Sequence, residues 1–404
     1  MDNKLRVGIW LGSKPYGGGV FQYSLLTVLA LSEVKKKNPE KYDLILFSPT
    51  EEWKTFIEES FANVTFDFVI VRKHLAHKIV GRLLRYSDVG LRFWRAINRF
   101  FPFVYRAFCK AQADLVICPS QDALSYEIKL PTISTIHDLM HRYEPDFPES
   151  SEKKEFRRRE RNYRRMCRFS KVILVDSELG QRQVVESYGD VLNAKLMVLP
   201  YLPPPYVLNH NPATDFSYVR DKYGLADKYI FYPAQFWRHK NHHGLVQAIK
   251  LLRQRGVIVN AVFSGSVENN YEHVLKLIEE FALHKQIKIL GYVPNDDLVG
   301  LYKNATALVM PTFFGPTNIP PLEAMFLGVP IVCSNVYAMP EQVGGAGLLF
   351  DPNNVDDIAE KVLTVWTGEK LRKDLVRKGY ERIKDMTLEN HAKHWEEAIG
   401  VACQ

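Results

Sequence analysis

The chain is poor in cysteine, with five in 404 residues. Cys109, Cys118, Cys167, Cys333 and Cys403 are odd in number and widely spaced, and there is no Cys-x-x-Cys or Cys/His cluster. That pattern excludes a disulfide framework and offers no zinc-site spacing, so buried thiols are expected. No run of about 18 apolar residues occurs, which leaves no candidate spanning helix. The apolar stretch at Leu5 meets glycines within a few residues, so it reads as a buried first strand and not as a secretion signal. Together these absences point to a cytoplasmic protein. The first glycine-rich loop lacks the Gly-x-Gly-x-x-Gly spacing of a dinucleotide site. No Asp-x-Asp follows a strand, so no metal is called for; Asp296 and Asp297 look like the start of a helix.

Hydrophobic residues make up 46% and charged residues 25%, enough for a full core in each of two domains. The net charge of +7 is lopsided: residues 1–200 hold 32 Lys and Arg against 24 Asp and Glu, and the remainder holds 21 against 22. A basic first half suits an anionic surface or ligand.

Short β-rich runs alternate with amphipathic ones, the pattern of parallel α/β domains. The spacing predicts strands at residues 5–11, 42–48, 114–119, 132–136 and 171–176, then at 228–234, 260–265, 286–291, 307–311 and 330–334. Prolines at 200, 203, 204 and 205 break the chain between the halves. The expected division is a Rossmann-like domain over 1–205, a second over 206–387, and a terminal helix over 388–404 returning toward the first. Ligands of open parallel sheets bind beyond the carboxyl ends of the strands, so the expected site is a cleft between the two domains.

Four segments could carry chemistry. The first strand runs into Gly17-Gly18-Gly19 at a helix start, where backbone N–H groups can approach an anion; a plain tight turn explains it equally. His137-Asp138 ends a strand, where His137 could donate to a sugar hydroxyl and Asp138 could fix its tautomer, or the histidine could be structural. Arg238 and Lys240 lie in a βα loop before a helix that Asn241 would cap, an arrangement suited to a diphosphate. In the segment Thr312 to Gly328, polar Thr317 and Asn318 sit in a Gly/Pro loop. Pro321 and Glu323 are expected in the first helical turn, with an unpaired carboxylate able to accept from a ribose diol.

With Gly17-Gly18-Gly19, His137-Asp138-Leu139, Val175-Asp176-Ser177-Glu178, the Gln235 to His242 stretch and the Gly315 to Ala324 stretch, the chain resembles the group-one, or family-four, retaining glycosyltransferases. Within them it is similar to bacterial O-antigen mannosyltransferases. The resemblance covers nearly the whole chain and implies two Rossmann-like domains facing across a cleft, the GT-B type. It places Gly18 and Gly19 on the donor diphosphate and His137 on the donor-sugar and acceptor side. Lys240 falls on the phosphates, with Arg238 adding charge. Gly265, Tyr292 and Val293 border the base; Thr317, Asn318 and Ile319 meet the sugar and phosphate; Glu323 takes the ribose. Two positions depart from the family: Gln235 stands where an arginine is common, and Gly315 stands where the first of two glutamates would be. Asn318 or Thr317 is then expected to take over recognition of the hexose.

The expected activity is transfer of a hexose, mannose favoured, from a nucleotide diphosphate sugar to a glycan or lipid-linked glycan in bacterial surface polysaccharide synthesis. The resemblance makes GDP-mannose the favoured donor, with no further cofactor and no metal. A nucleotide-sugar epimerase or phosphorylase, or a non-catalytic binding protein, remains open at this point. No nucleic-acid signature is present. Lys78, Arg82, Arg85, Arg92, Arg95 and Arg99 run beside Ile79, Leu83, Tyr86, Phe93, Ile97 and Phe100, a basic amphipathic pattern suited to an anionic membrane at its inner face. Arg157, Arg158, Arg159, Arg161, Arg164 and Arg165 form a second patch. An ordinary solvated helix face fits both equally.

Overall fold

The computed structural model describes residues 4–15, 18–60, 66–71, 87–100, 104–151 and 153–404. Gly17, Lys78, Ile79, Arg82, Leu83, Arg85 and Tyr86 lie outside them. The chain forms two compact units. The first comprises Met1–Leu139, Arg157–Tyr201 and Thr387–Gln404, and the second Met140–Phe156 and Leu202–Met386.

The first unit is built on a parallel sheet of β1 (Leu5–Trp10), β2 (Tyr42–Ser48), β3 (Asp67–Ile70), β4 (Leu115–Cys118), β5 (Thr132–Thr135), β6 (Val172–Val175) and β7 (Lys195–Val198), in the order β3-β2-β1-β4-β5-β6-β7. Every residue of β4, β5 and β6 is buried, as strands covered on both faces require. The helix Gly19–Lys37 covers one face, and the terminal helix Leu388–Ala402 packs beside it, burying Trp395, Ala398, Ile399 and Ala402 in the same core. Lys37 and Glu389 tie the two helices at 2.6 Å.

The second unit's sheet contains β8 (Ile230–Pro233), β9 (Ala261–Ser264), β10 (Ile287–Ile289), β11 (Ala307–Met310), β12 (Ile331–Ser334) and β13 (Gly347–Phe350), in the order β10-β9-β8-β11-β12-β13. In each sheet the strand order reverses direction once, between β1 and β4 and between β8 and β11. At such a switch the two strand-following loops part to opposite faces and leave a crevice at the carboxyl ends.

Three strands go beyond the sequence expectation: β3, β7 and β13. All three are sheet edges, four residues long and only partly covered. An edge strand needs no continuous apolar run, so the signal used for the interior strands is weak there. The divide after Tyr201 falls inside the proline-rich stretch, but the chain also crosses between units where no sequence signal marks it: residues 140–156, expected in the first domain, group with the second.

Candidate functional site

In the second unit the switch brings together the loops after β8 and β11. The first loop ends at Asn241, which adopts a left-handed conformation and caps the helix His242–Gln254 by accepting from the Gly244 N–H. Asn241 also donates to the Pro352 carbonyl at 3.0 Å, fixing where Lys240 leaves the backbone. The two loops are stitched through their main chains. Phe313 N–H donates to His239 O at 2.7 Å, Thr312 Oγ1 donates to the same oxygen at 3.2 Å, and the Tyr232 hydroxyl donates to Lys240 O at 2.8 Å. The Lys240 ammonium then reaches Asn318 Oδ1 at 3.2 Å.

Asn318 stands at the N-cap position of the helix Ile319–Phe326, but its side chain makes no capping bond to it. Gln342 holds its main chain from both sides, accepting from Asn318 N–H at 3.0 Å and donating to Asn318 O at 2.6 Å. Gly315 has φ +151°, and a Cβ there would lie 2.2 Å from Asn318 Nδ2. The absent side chain and the carboxamide therefore share one space. Thr317 and Ile319 flank Asn318 and are partly accessible.

The helix begins at Ile319, which moves Glu323 from the expected first turn into the second. Its carboxylate is buried, and it is not unpaired: the Tyr206 hydroxyl donates to one oxygen and the Tyr302 hydroxyl to the other. Burial raises the carboxyl above its usual range, and the two phenol bonds oppose that rise. Each oxygen keeps a second lone pair for a further donor, and Tyr206 is only partly buried.

Residues 140–156 pack against the same loops. Phe147 stacks on Phe313 with ring centroids 5.8 Å apart, and Glu149 pairs with His239 at 3.2 Å. Burial pushes the Glu149 carboxyl up, but its bonds from His239 and the backbone outweigh this and hold it near 2. The Tyr337 hydroxyl donates to Glu144. His242, behind the loop, stacks on Phe236 at 4.3 Å, and burial first, then the Lys240 charge, lowers its pKa to about 3.

Toward the outer strands, Gly265 ends β9 with φ +151°, and a Cβ there would lie 2.2 Å from Ala234 O, so only glycine allows the approach. Its N–H donates to Gly291 O. Gln235 is exposed and donates to Ser266 Oγ at 2.8 Å; Arg238 is exposed too, its backbone N–H on Asn269. Tyr292 is 75% exposed, whereas Val293 is buried. Asp297, in the helix Asn295–Asn304, accepts from Tyr218, Tyr223 and Lys222 and is a structural carboxylate.

In the first unit, Gly18 (φ +69°) precedes the helix Gly19–Lys37, and both glycines are exposed. His137 lies beyond the end of β5, but its ring is occupied. Pro119 O can only accept, so Nε2 carries the proton and donates to it at 2.9 Å; Nδ1 accepts from the Tyr201 hydroxyl at 2.7 Å. Burial lowers its pKa and so disfavours the imidazolium. The expected donation from the ring to a sugar is therefore taken by the protein. Asp138 turns to Arg159 at 3.4 Å and does not set the tautomer. Both differences arise from residues distant in sequence.

The basic stretches are partly spent on the unit itself. Within the helix Asp88–Ile97, Arg95 donates to Tyr126 O and lies over the Phe169 ring, so it is not on an outer face. Arg165 is buried against Asp88 and Arg164 pairs with Asp190. Arg92 and Arg99 remain exposed, with Val89, Phe93 and Phe100 exposed among them. Among the described residues no helix is long and apolar enough to cross a membrane.

The two parallel Rossmann-like sheets have the GT-B architecture, and the second carries a lysine–asparagine pair and a phenol-held carboxylate at its switch. A family model described as "Glycosyl transferases group 1" matches residues 219–382, which span the loops after β8 and β11. The chain is 31% identical over 268 residues to O-antigen chain mannosyltransferase B of Escherichia coli, covering 64% of this chain and 67% of the relative. It is 28% identical over 273 residues to serotype-specific mannosyltransferase WbdA of Escherichia coli, covering 62% of this chain but only 32% of that longer protein. In fold it is similar to Anabaena HepE, solved with UDP and glucose, at a TM-score of 0.71 and 15% identity over 98% of this chain and 99% of that one. The chain belongs to the group 1 glycosyltransferases and is a retaining glycosyltransferase.

The sequence reading missed Tyr206, Tyr302, Glu149 and Gln342. Tyr206 follows the proline cluster and Glu149 lies in the segment that changes unit. None carries a local motif; only the fold brings them to Glu323, His239 and Asn318.

Proposed function

We propose that this enzyme moves mannose from GDP-mannose to a hydroxyl of a glycan or lipid-linked glycan during bacterial surface polysaccharide synthesis. The observation that carries the sugar assignment is the similarity to an O-antigen chain mannosyltransferase over two thirds of that relative. The fold neighbour solved with UDP and glucose supports a nucleoside diphosphate donor, though with another base.

The residues divide the chemistry as follows. Lys240 and Arg238 stabilise the charge that grows on the leaving diphosphate, with N–H groups at Thr317 and Ile319. Glu323, oriented by Tyr302, accepts from the ribose hydroxyls beside or in place of Tyr206. Gln235, Gly265, Tyr292 and Val293 border the base, Val293 through its backbone, and Thr317 meets the hexose where Gly315 supplies no carboxylate. His137 is a neutral, fixed wall on the acceptor side. The acceptor oxygen bonds to C1 on the face from which the diphosphate departs, and its proton passes to the departing phosphate oxygen. The anomeric configuration is thus kept, without the paired carboxylates of a glycosidase. The exposed Arg92, Arg99, Phe93 and Phe100 favour contact with an anionic membrane, where a lipid-linked acceptor would be found.

A donor screen scored by nucleoside diphosphate release tests this reading. GDP-mannose should be turned over fastest, and only with a mannose-ended acceptor present. Faster turnover of a UDP-hexose would overturn the donor assignment, and release without acceptor would overturn the transfer.

A further inference from the structure

Asn318 adjoins Gly315, a position that departs from the family pattern, and its side chain is tightly constrained. Asn318 is 8% exposed, and three contacts define its side chain. Lys240 Nζ donates to Oδ1, Nδ2 faces Met339 Sδ at 3.3 Å, and the space beyond Nδ2 is open only because residue 315 has no Cβ. An ammonium can only donate, so the oxygen must be the atom toward Lys240, which settles the amide's orientation. The Gln342 carboxamide fixes the backbone from which this side chain springs, leaving little freedom but its own rotamer.

A lysine ends in a compact charge on a flexible four-carbon stem, and holding it in one place costs rotamer freedom. A fixed neutral acceptor does this without a second charge. A carboxylate at the same place would make a stronger, charge-assisted bond and compete with an anionic ligand for the ammonium.

We propose that Asn318 is a positioning residue: its carboxamide oxygen holds the Lys240 ammonium toward the donor diphosphate, and Gly315, whose φ of +151° itself favours glycine, leaves that carboxamide its space. The inference rests on the assignment of Lys240 to the diphosphate. It makes the loss of a carboxylate at 315 and the presence of asparagine at 318 one linked change.

A double-mutant cycle tests it. Binding of GDP and of UDP to the full-length protein is measured by calorimetry, and the nucleotide that wild type binds more tightly is used throughout. Asn318→Asp should weaken binding at least about tenfold in wild type and less than about twofold in a Lys240→Ala background, since contacting residues couple and independent ones add. Asn318→Ala should weaken binding about three- to tenfold, again only with Lys240 present, because it removes the oxygen from the ammonium. Thermal unfolding identifies the folded variants, and the Ala variant serves if the Asp variant does not fold. Equal losses in both backgrounds, or wild-type binding by Asn318→Asp, would overturn the positioning role alone. Wild-type binding by Lys240→Ala, or no binding of either nucleotide to wild type, would instead overturn the site assignment beneath it.

Discussion

Tyr302 donates its phenolic hydrogen to Glu323, and both side chains lie out of water. A hydrogen bond to a charged group is worth about 1.5–3 kcal/mol, and losing it in a buried setting leaves the charge poorly solvated. Tyr302→Phe should therefore lower unfolding stability by about 2 kcal/mol. Tyr206, on the other carboxylate oxygen, is only partly buried, so water can replace its hydroxyl. Tyr206→Phe should cost less than about 1 kcal/mol. Chemical denaturation of both variants decides, and equal losses would contradict the asymmetry.

Lys240→Ala and Glu323→Ala should each lower kcat/KM by about 100-fold, or ~2.7 kcal/mol, the scale of removing one transition-state donor or anchor. Both should retain wild-type circular dichroism. Near-wild-type turnover in both would remove these residues from the site.

Much of this was legible in the sequence where one local pattern carried the information. Asn241 caps its helix as the residue order predicts, and nine interior strands and the edge strand β10 fall within a few residues of their expected positions. The Lys240 and Asn318 loops could be singled out because each follows an apolar strand at a break in periodicity. Their contact could not, since it depends on strand order within the sheet. His137 illustrates the limit: a strand-end histidine looks available, and only Pro119 and Tyr201, 18 and 64 residues away, reveal that its nitrogens are occupied. Arg95 is similar, because helical spacing cannot tell an outward arginine from one laid over Phe169.

Acid should destabilise the second unit through His242. Its folded pKa, about 3, lies below the ordinary 6.5 because burial, then the charges at Lys240, His243 and His239, disfavour the imidazolium. The unfolded chain therefore binds the extra proton first. The stabilisation is complete above about pH 6.5 and is lost as pH falls toward 3, by about 1.4 kcal/mol per unit. His242→Phe should flatten the fall in unfolding free energy between pH 6.5 and 5. An unchanged slope would assign the acid sensitivity to other groups.

The outward part of the basic helix makes a prediction opposite to its inward part. Arg92→Glu with Arg99→Glu should abolish flotation with phosphatidylglycerol vesicles at low salt while leaving the melting temperature within a few degrees. Arg95→Glu should lower the melting temperature instead, since it removes the bond to Tyr126 O and the contact with Phe169. No flotation of wild type at low salt would count against membrane contact.

The first unit takes three stretches of chain and the second takes two, the shorter being residues 140–156. An engineer wishing to exchange the second unit cannot simply cut at the prolines near 200. A chimera joined there would combine foreign loops with the native Phe147 and Glu149, which are shaped for Phe313 and His239. The transferable module is 140–156 together with 202–386, and exchanges honouring that discontinuous boundary should be the ones that yield folded hybrids.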